Sequence, residues 1–124
     1  MGDRAQVFIH NGGHAAPVAL YTHSAGGTLA STVARALARK QRWDDPEYLA
    51  RIIFCEMVRG DEAGDVDFGI GTAQHFDLQH DPIHVHSGGG IMDPTEPHVF
   101  YNGERFSFER FIDRYAGRGR SFYR

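Results

Sequence analysis

Four histidines fall close together in the run HFDLQHDPIHVHS: His75, His80, His84 and His86, with Asp77 and Asp81 between them. Imidazole is a preferred ligand of zinc and other transition metals, and it is the side chain that changes charge near neutral pH. His84 and His86 stand two residues apart in PIHVHS. As a strand, that stretch puts both rings on one face. This is the spacing of a strand-borne divalent metal site, with His75 as the candidate third ligand and His80 or Asp77 as substitutes. An open three-ligand site activates water, so a metal-dependent hydrolase is the enzymatic alternative. In a chain with eight histidines such a pair also arises with no ligand at all, and solvent-facing or interface histidines are the plainer reading. The balance leans towards a non-enzymatic protein without a cofactor. A divalent metal at His84, His86 and His75 is the one cofactor these residues suggest.

A second constellation lies in YTHSAGGTLAS. A strand ending near His23 turns through small residues into a helix starting near Thr28, and backbone N–H groups at a helix start attract anions. Tyr21, His23, Ser24 and Thr28 then surround a candidate phosphate position, although Ser or Thr acting only as an N-cap is the plainer reading. The spacing is not that of a nucleotide P-loop. Adjacent residues at a strand end point apart, so His23 is not placed to activate Ser24 as a nucleophile.

The third constellation depends on the strands. In AQVFIH, VALYT, FGIGT and PIHVHS, period two places Val7, Ile9, Val18, Leu20, Phe68, Ile70, Ile83 and Val85 on one face. Phe8, His10, Ala19, Tyr21, His23, Gly69, Gly71, His84 and His86 take the other. Phe8 and Tyr21 beside bare glycines leave room for a flat ring, with His10 among the hydrogen-bonding groups. A second subunit, or the C-terminal helix with Phe108, Phe111 and Tyr115, is the plainer occupant of that face.

These residues need a scaffold, and its elements are legible. Strands near 5–10 and 17–23 flank a turn at Asn11, Gly12 and Gly13. Leu29, Val33, Ala36, Leu37 and Lys40 give helical spacing over 28–42. Asp45 as N-cap, Pro46 at the first helical position and Glu47 in the first turn start a second helix over 46–58. Its buried stripe is Leu49, Ile52, Ile53 and Met57, and Cys55 is expected to pack there. Strands follow at VDFGIGT and PIHVHS, then an Asn102–Gly103 hairpin and a last helix capped by Ser107. SGGGIMDPTEP, residues 87–97, has no periodicity and reads as a mobile loop. The fold class is α+β: an antiparallel sheet of four to six strands, two consecutive helices on one face, and a short C-terminal helix.

The 124 residues fit a single domain, 1–124, with 117–124 as a basic and potentially mobile tail. No apolar run reaches the roughly 18 to 20 residues of a membrane span. MGDRAQVFIH passes straight into alternating sequence without signal-peptide features, and Cys55 is the single cysteine, so the expected location is cytoplasmic. Net charge is −3 but unevenly spread: residues 61–100 hold eight acids and no Lys or Arg, whereas 101–124 hold six Arg. That basic end suits docking on an acidic segment of its own or a second chain. A net-acidic protein is a poor general binder of polyanions, so nucleic acid is not the expected partner. A homo-oligomer, and a nucleotide or other small anionic ligand, are.

Gly2, Arg4 and Ala5 in GDRAQVFIH, and Tyr21, His23, Gly26 and Gly27 in YTHSAGG, together with the strand FGIGT, resemble a group of small uncharacterised phage and prophage proteins. That group has an N-terminal Gly-x-Arg-Ala strand and a Tyr-x-His-x-x-Gly-Gly turn before a helix. The resemblance covers about two thirds of the chain and implies phage or prophage ancestry, with no established activity. The function expected is binding of a phosphate-bearing or nucleotide-like small ligand, for example sequestration of a nucleotide signal, or of a protein partner. The alternatives are the His-x-His hydrolase and a structural, oligomerising protein.

Overall fold

The computed structural model describes residues 2–11, 16–64, 67–72, 74–75, 77–87 and 96–117. The glycine turn after Asn11, most of the expected mobile loop and nearly all of the basic tail lie outside these residues. The elements are β1 (Ala5–His10), β2 (Val18–Thr22), α1 (Leu29–Leu37), α2 (Pro46–Met57), β3 (Phe68–Gly71), β4 (Ile83–His86), β5 (His98–Tyr101), β6 (Glu104–Ser107) and α3 (Phe108–Tyr115). A single 3₁₀ turn, Gly26–Thr28, precedes α1. The strands form one six-stranded sheet in the order β3-β2-β1-β4-β5-β6. All neighbours are antiparallel except β1 and β4, which run parallel with Val7 opposite Ile83 and His10 opposite His86. This is the α+β architecture, with one parallel seam inside a mostly antiparallel sheet.

Alternation in the strands decides which side chains meet the helices. Ala5, Val7, Ile9, Leu20, Ile83, Val85, Val99 and Phe106 are buried and meet Leu29, Val33, Ala36, Leu37, Leu49, Ile53, Phe108 and Phe111 from the helices. Each large apolar side chain removed from water here contributes about 1.5–3 kcal/mol. Val18 and Phe68 pack against this core while half-buried. Ile70, expected among them, is instead 67% exposed. It sits on edge strand β3, where it lines a shallow apolar groove with Val18, Leu20 and Phe54 rather than entering the core.

α1 is shorter than its apolar stripe suggests. It stops at Leu37, Lys40 takes a φ of 56°, and the Arg39 and Lys40 N–H groups close on Ala36 and Leu37 carbonyls. Lys40 is therefore an exposed residue past the helix end, not part of its buried stripe. α2 starts as expected with Pro46 and Glu47, but the Asp45 side chain makes no capping hydrogen bond and pairs with Arg42 at 3.8 Å. Cys55 is exposed, which corrects its expected packing: the inward arc of α2 is Leu49, Ala50, Ile53, Glu56 and Met57. Glu56 is tolerated inside because Arg59 reaches it at 2.6 Å, with Arg39 at 3.9 Å and Arg35 at 4.0 Å.

The C-terminal hairpin turns at Asn102 and Gly103, with φ of 54° and 77°, the conformation that favours this dipeptide. Ser107 caps α3 by accepting the Arg110 N–H. α3 packs beside α1 through Phe108 and Phe111, with Trp43 edge-on to Phe108 at 5.1 Å. All three helices thus lie on one side of the sheet. The other face is covered by no described helix, which removes the C-terminal helix as its occupant.

Candidate ligand face and its histidine rows

Cross-strand pairing arranges the outer face in rows. The first row runs Gly71, Ala19, Phe8, His84, Phe100 and Arg105, from β3 to β6. The second is His10, His86, His98 and Ser107. A third, nearer the N-terminal end of β1, is Gly69, Tyr21 and Gln6. Each follows from period two, because the partners of these residues on the opposite face are the core residues.

The rings contact one another. Phe8 stacks on His84 with centroids 5.3 Å apart and planes 14° from parallel. His86 lies between His10 at 4.3 Å and His98 at 4.4 Å, both nearly parallel to it. His10 Nε2 and His84 Nδ1 are 2.9 Å apart. One of those nitrogens donates and the other accepts, which fixes complementary tautomers when both rings are neutral. Burial against Phe8 and its neighbours disfavours the charged form of His84 and holds its pKa below the ordinary 6.5.

The proposed metal ligands are not assembled together. His84 and His86 share the face as expected, but the His75 ring lies tilted against Tyr21 at 4.3 Å, two strands away, while its backbone N–H donates to the Gln6 side-chain oxygen. Among the described residues no group of three or more His, Cys, Asp or Glu side chains is arranged to hold a metal ion.

The expected anion site is occupied from within the chain. The Gly27 N–H donates to Asp3 Oδ2 at 2.7 Å, and the other carboxylate oxygen, Asp3 Oδ1, meets His80 Nε2 at 2.6 Å. The His80 hydrogen bond and the Gly27 N–H lower the Asp3 pKa below its ordinary value. Gly26 makes the closure possible: a Cβ there would lie 2.5 Å from the Asp3 carbonyl oxygen and 2.7 Å from the His80 ring. Ser24 and His23 are exposed, and the Thr28 hydroxyl donates to the Ala25 carbonyl instead of capping α1. Tyr21 and His23 do meet, with Oη and Nδ1 3.4 Å apart.

Phe8 is nearly buried, 6% exposed, because His84 lies against it. The accessible ring of its row is Phe100, 45% exposed. On edge strand β3, added Cβ atoms at Gly71, which ends this row, and at Gly69, which ends the third, would meet nothing within 4 Å, so neither glycine is required by packing within the described chain. His98, Phe100 and Arg105 were outside the expected site. Their signal was the alternation of HVFY and ERFS, which gives the face but not the neighbouring strand. The chain has no match among protein-family models, curated proteins or solved structures. Among the described residues no helix is long and apolar enough to cross a membrane.

Proposed function

We propose that the protein is a non-enzymatic binding protein that takes a nucleotide-like ligand on the outer face of its sheet, with sequestration of such a ligand as the concrete form. The observation that carries this reading is the Phe8–His84–Phe100–Arg105 row, open to solvent at Phe100 and covered by no described helix. An exposed phenyl ring beside an arginine suits a base stacked on the ring with its phosphate on the guanidinium. Phe106 points into the core, so its neighbour Arg105 shares the outer face with Phe100. The His10–His84 hydrogen bond and the Phe8–His84 stack fix the orientation of the His84 ring in that row. Open space over Gly69 and Gly71 leaves the far end of the face accessible to a broad ligand.

The test is a titration with nucleoside monophosphates followed by amide and imidazole NMR signals. Shifts should concentrate on β4, β5 and β6. Phe100→Ala and Arg105→Gln should each weaken binding roughly tenfold, since stacking on one base is worth about 1–3 kcal/mol. Shifts confined to the helix side, or unchanged affinity in both variants, would refute the assignment.

A further inference from the structure

The opposite side of the molecule carries an arginine-lined groove that the outer face does not explain. It has a volume of about 570 Å³ and is bounded by Arg39, Gln41 and Arg42 from the α1–α2 connection, and by Tyr48, Arg51, Ile52 and Cys55 from α2. That volume lies in the range of small-molecule sites. Among the described residues no carboxylate lines it. Arg42 meets Asp45 at 3.8 Å, and Arg39, at the groove's edge, also lies 3.9 Å from Glu56. Arg51 is exposed and makes no ion pair or hydrogen bond among the described residues.

The connection is held in shape. Lys40 and Arg42 both have left-handed backbones, with φ of 56° and 59°, a region that side chains as long as these rarely occupy. Trp43 Nε1 donates to the Leu37 carbonyl at 3.0 Å and its ring meets Phe108, which ties the connection to the core. Backbone held in a sparsely populated region by surrounding contacts is characteristic of ligand clamps. Here it brings the Arg42 guanidinium over the Tyr48 ring at 4.5 Å. Tyr48 remains 55% exposed. The groove therefore combines three cationic forks with an accessible aromatic ring and the apolar side of Ile52.

We infer that this groove binds a small molecule carrying a di- or triphosphate, with Arg39, Arg42 and Arg51 on the phosphates and Tyr48 and Ile52 against its ring. Three guanidiniums from separate positions exceed what one carboxylate can engage, whereas a phosphate chain offers acceptor oxygens along its length. The site is independent of the outer face and shares no residue with it.

Inorganic pyrophosphate and ATP serve as probes, titrated calorimetrically into the full chain at constant ionic strength. Cys55 lies in the groove and reports occupancy in the parent chain: pyrophosphate should slow its reaction with a thiol reagent severalfold, and equal chloride should not. Arg42→Gln and Arg51→Gln should each weaken pyrophosphate binding roughly tenfold, as loss of a charge-assisted hydrogen bond does. Arg114→Gln, which removes the same charge on α3, should leave it unchanged. ATP should bind more tightly than pyrophosphate, with the gain lost in Tyr48→Ala. Absence of Cys55 protection, equal loss in Arg114→Gln, or single-stranded RNA binding without any response to pyrophosphate would overturn the proposal. Equal affinity for pyrophosphate and ATP would overturn the role given to Tyr48.

Discussion

The two faces of the sheet are made from the same strands, residue by residue in alternation, yet they obey different constraints. On the helix side, Val7, Leu20, Ile83 and Val85 are at most 2% exposed, and every change of volume or polarity is felt by a neighbour. On the outer side, polar aromatic rings contact one another across strands while Phe100 and the space above Gly69 and Gly71 stay accessible. Packing is tightest on the first face, and the proposed ligand platform lies on the second. Imidazoles suit such a surface because their flat faces pack like those of hydrocarbon rings while their nitrogens still reach water or a ligand.

The sharpest way to break this contrast is at Ile53, fully buried between α2 and the sheet. Ile53→Asp should unfold the domain, since an unpaired buried carboxylate costs several kcal/mol, comparable to the roughly 5–15 kcal/mol of a small domain. A variant melting like the parent would remove Ile53 from the core. Glycines give a finer comparison. Gly26→Ala should destabilise by about 1–3 kcal/mol, because its Cβ meets the Asp3 backbone. Gly69→Ala, with open space around the new methyl group, should stay within about 0.5 kcal/mol of the parent. Urea midpoints for the pair check this, and equal losses would contradict the difference between the two sites.

The smallest effect expected is acid sensitivity from the outer face. The His84 pKa is lowered by burial, so the unfolded chain binds a proton there more readily than the folded one. Its contribution is fully present above about pH 6.5 and is lost as pH falls through the lower, folded-state pKa. Asp3, whose pKa is also lowered, acts in a separate window below its ordinary 3.8. Urea midpoints at pH 7.5 and 5 should therefore differ more in the parent than in His84→Gln. Equal differences would show that His84 carries none of this dependence.

Much of the scaffold was legible because its signals are local. Pro46 and Glu47 start α2, Asn102 and Gly103 turn the hairpin, Ser107 caps α3, and period two sorted Phe8, His10, His84 and His86 onto one face. What sequence did not reveal depends on distant partners. Residue type suggests a buried Cys55, whereas the inward position next to it is Glu56, acceptable only because Arg35, Arg39 and Arg59 gather around it. The α1 entrance looked like a vacant anion site, whereas Asp3 fills it from another part of the chain. His75 looked like a companion of His84 by proximity in sequence, and the sheet carries it to Tyr21 instead. Alternation fixes the face of a side chain but not the neighbouring strand, so it does not set His98 beside His86 or Arg105 beside Phe100.

The parallel seam between β1 and β4 bears on how the protein acquires its shape in time. His10 and His84 meet across 74 positions of chain, and the intervening segment includes β2, β3 and both long helices. The hairpins on either side form from nearby residues, whereas the seam requires closure of the whole intervening loop. Such long-range pairing slows folding far more than it lowers final stability, since each doubling of loop length adds only about 0.6 kcal/mol. The histidine rows straddle this seam, so their stacking reports the union of the β1–β2 pair with β4, β5 and β6, each formed from residues near in sequence, whereas β3 joins β2 only after both helices.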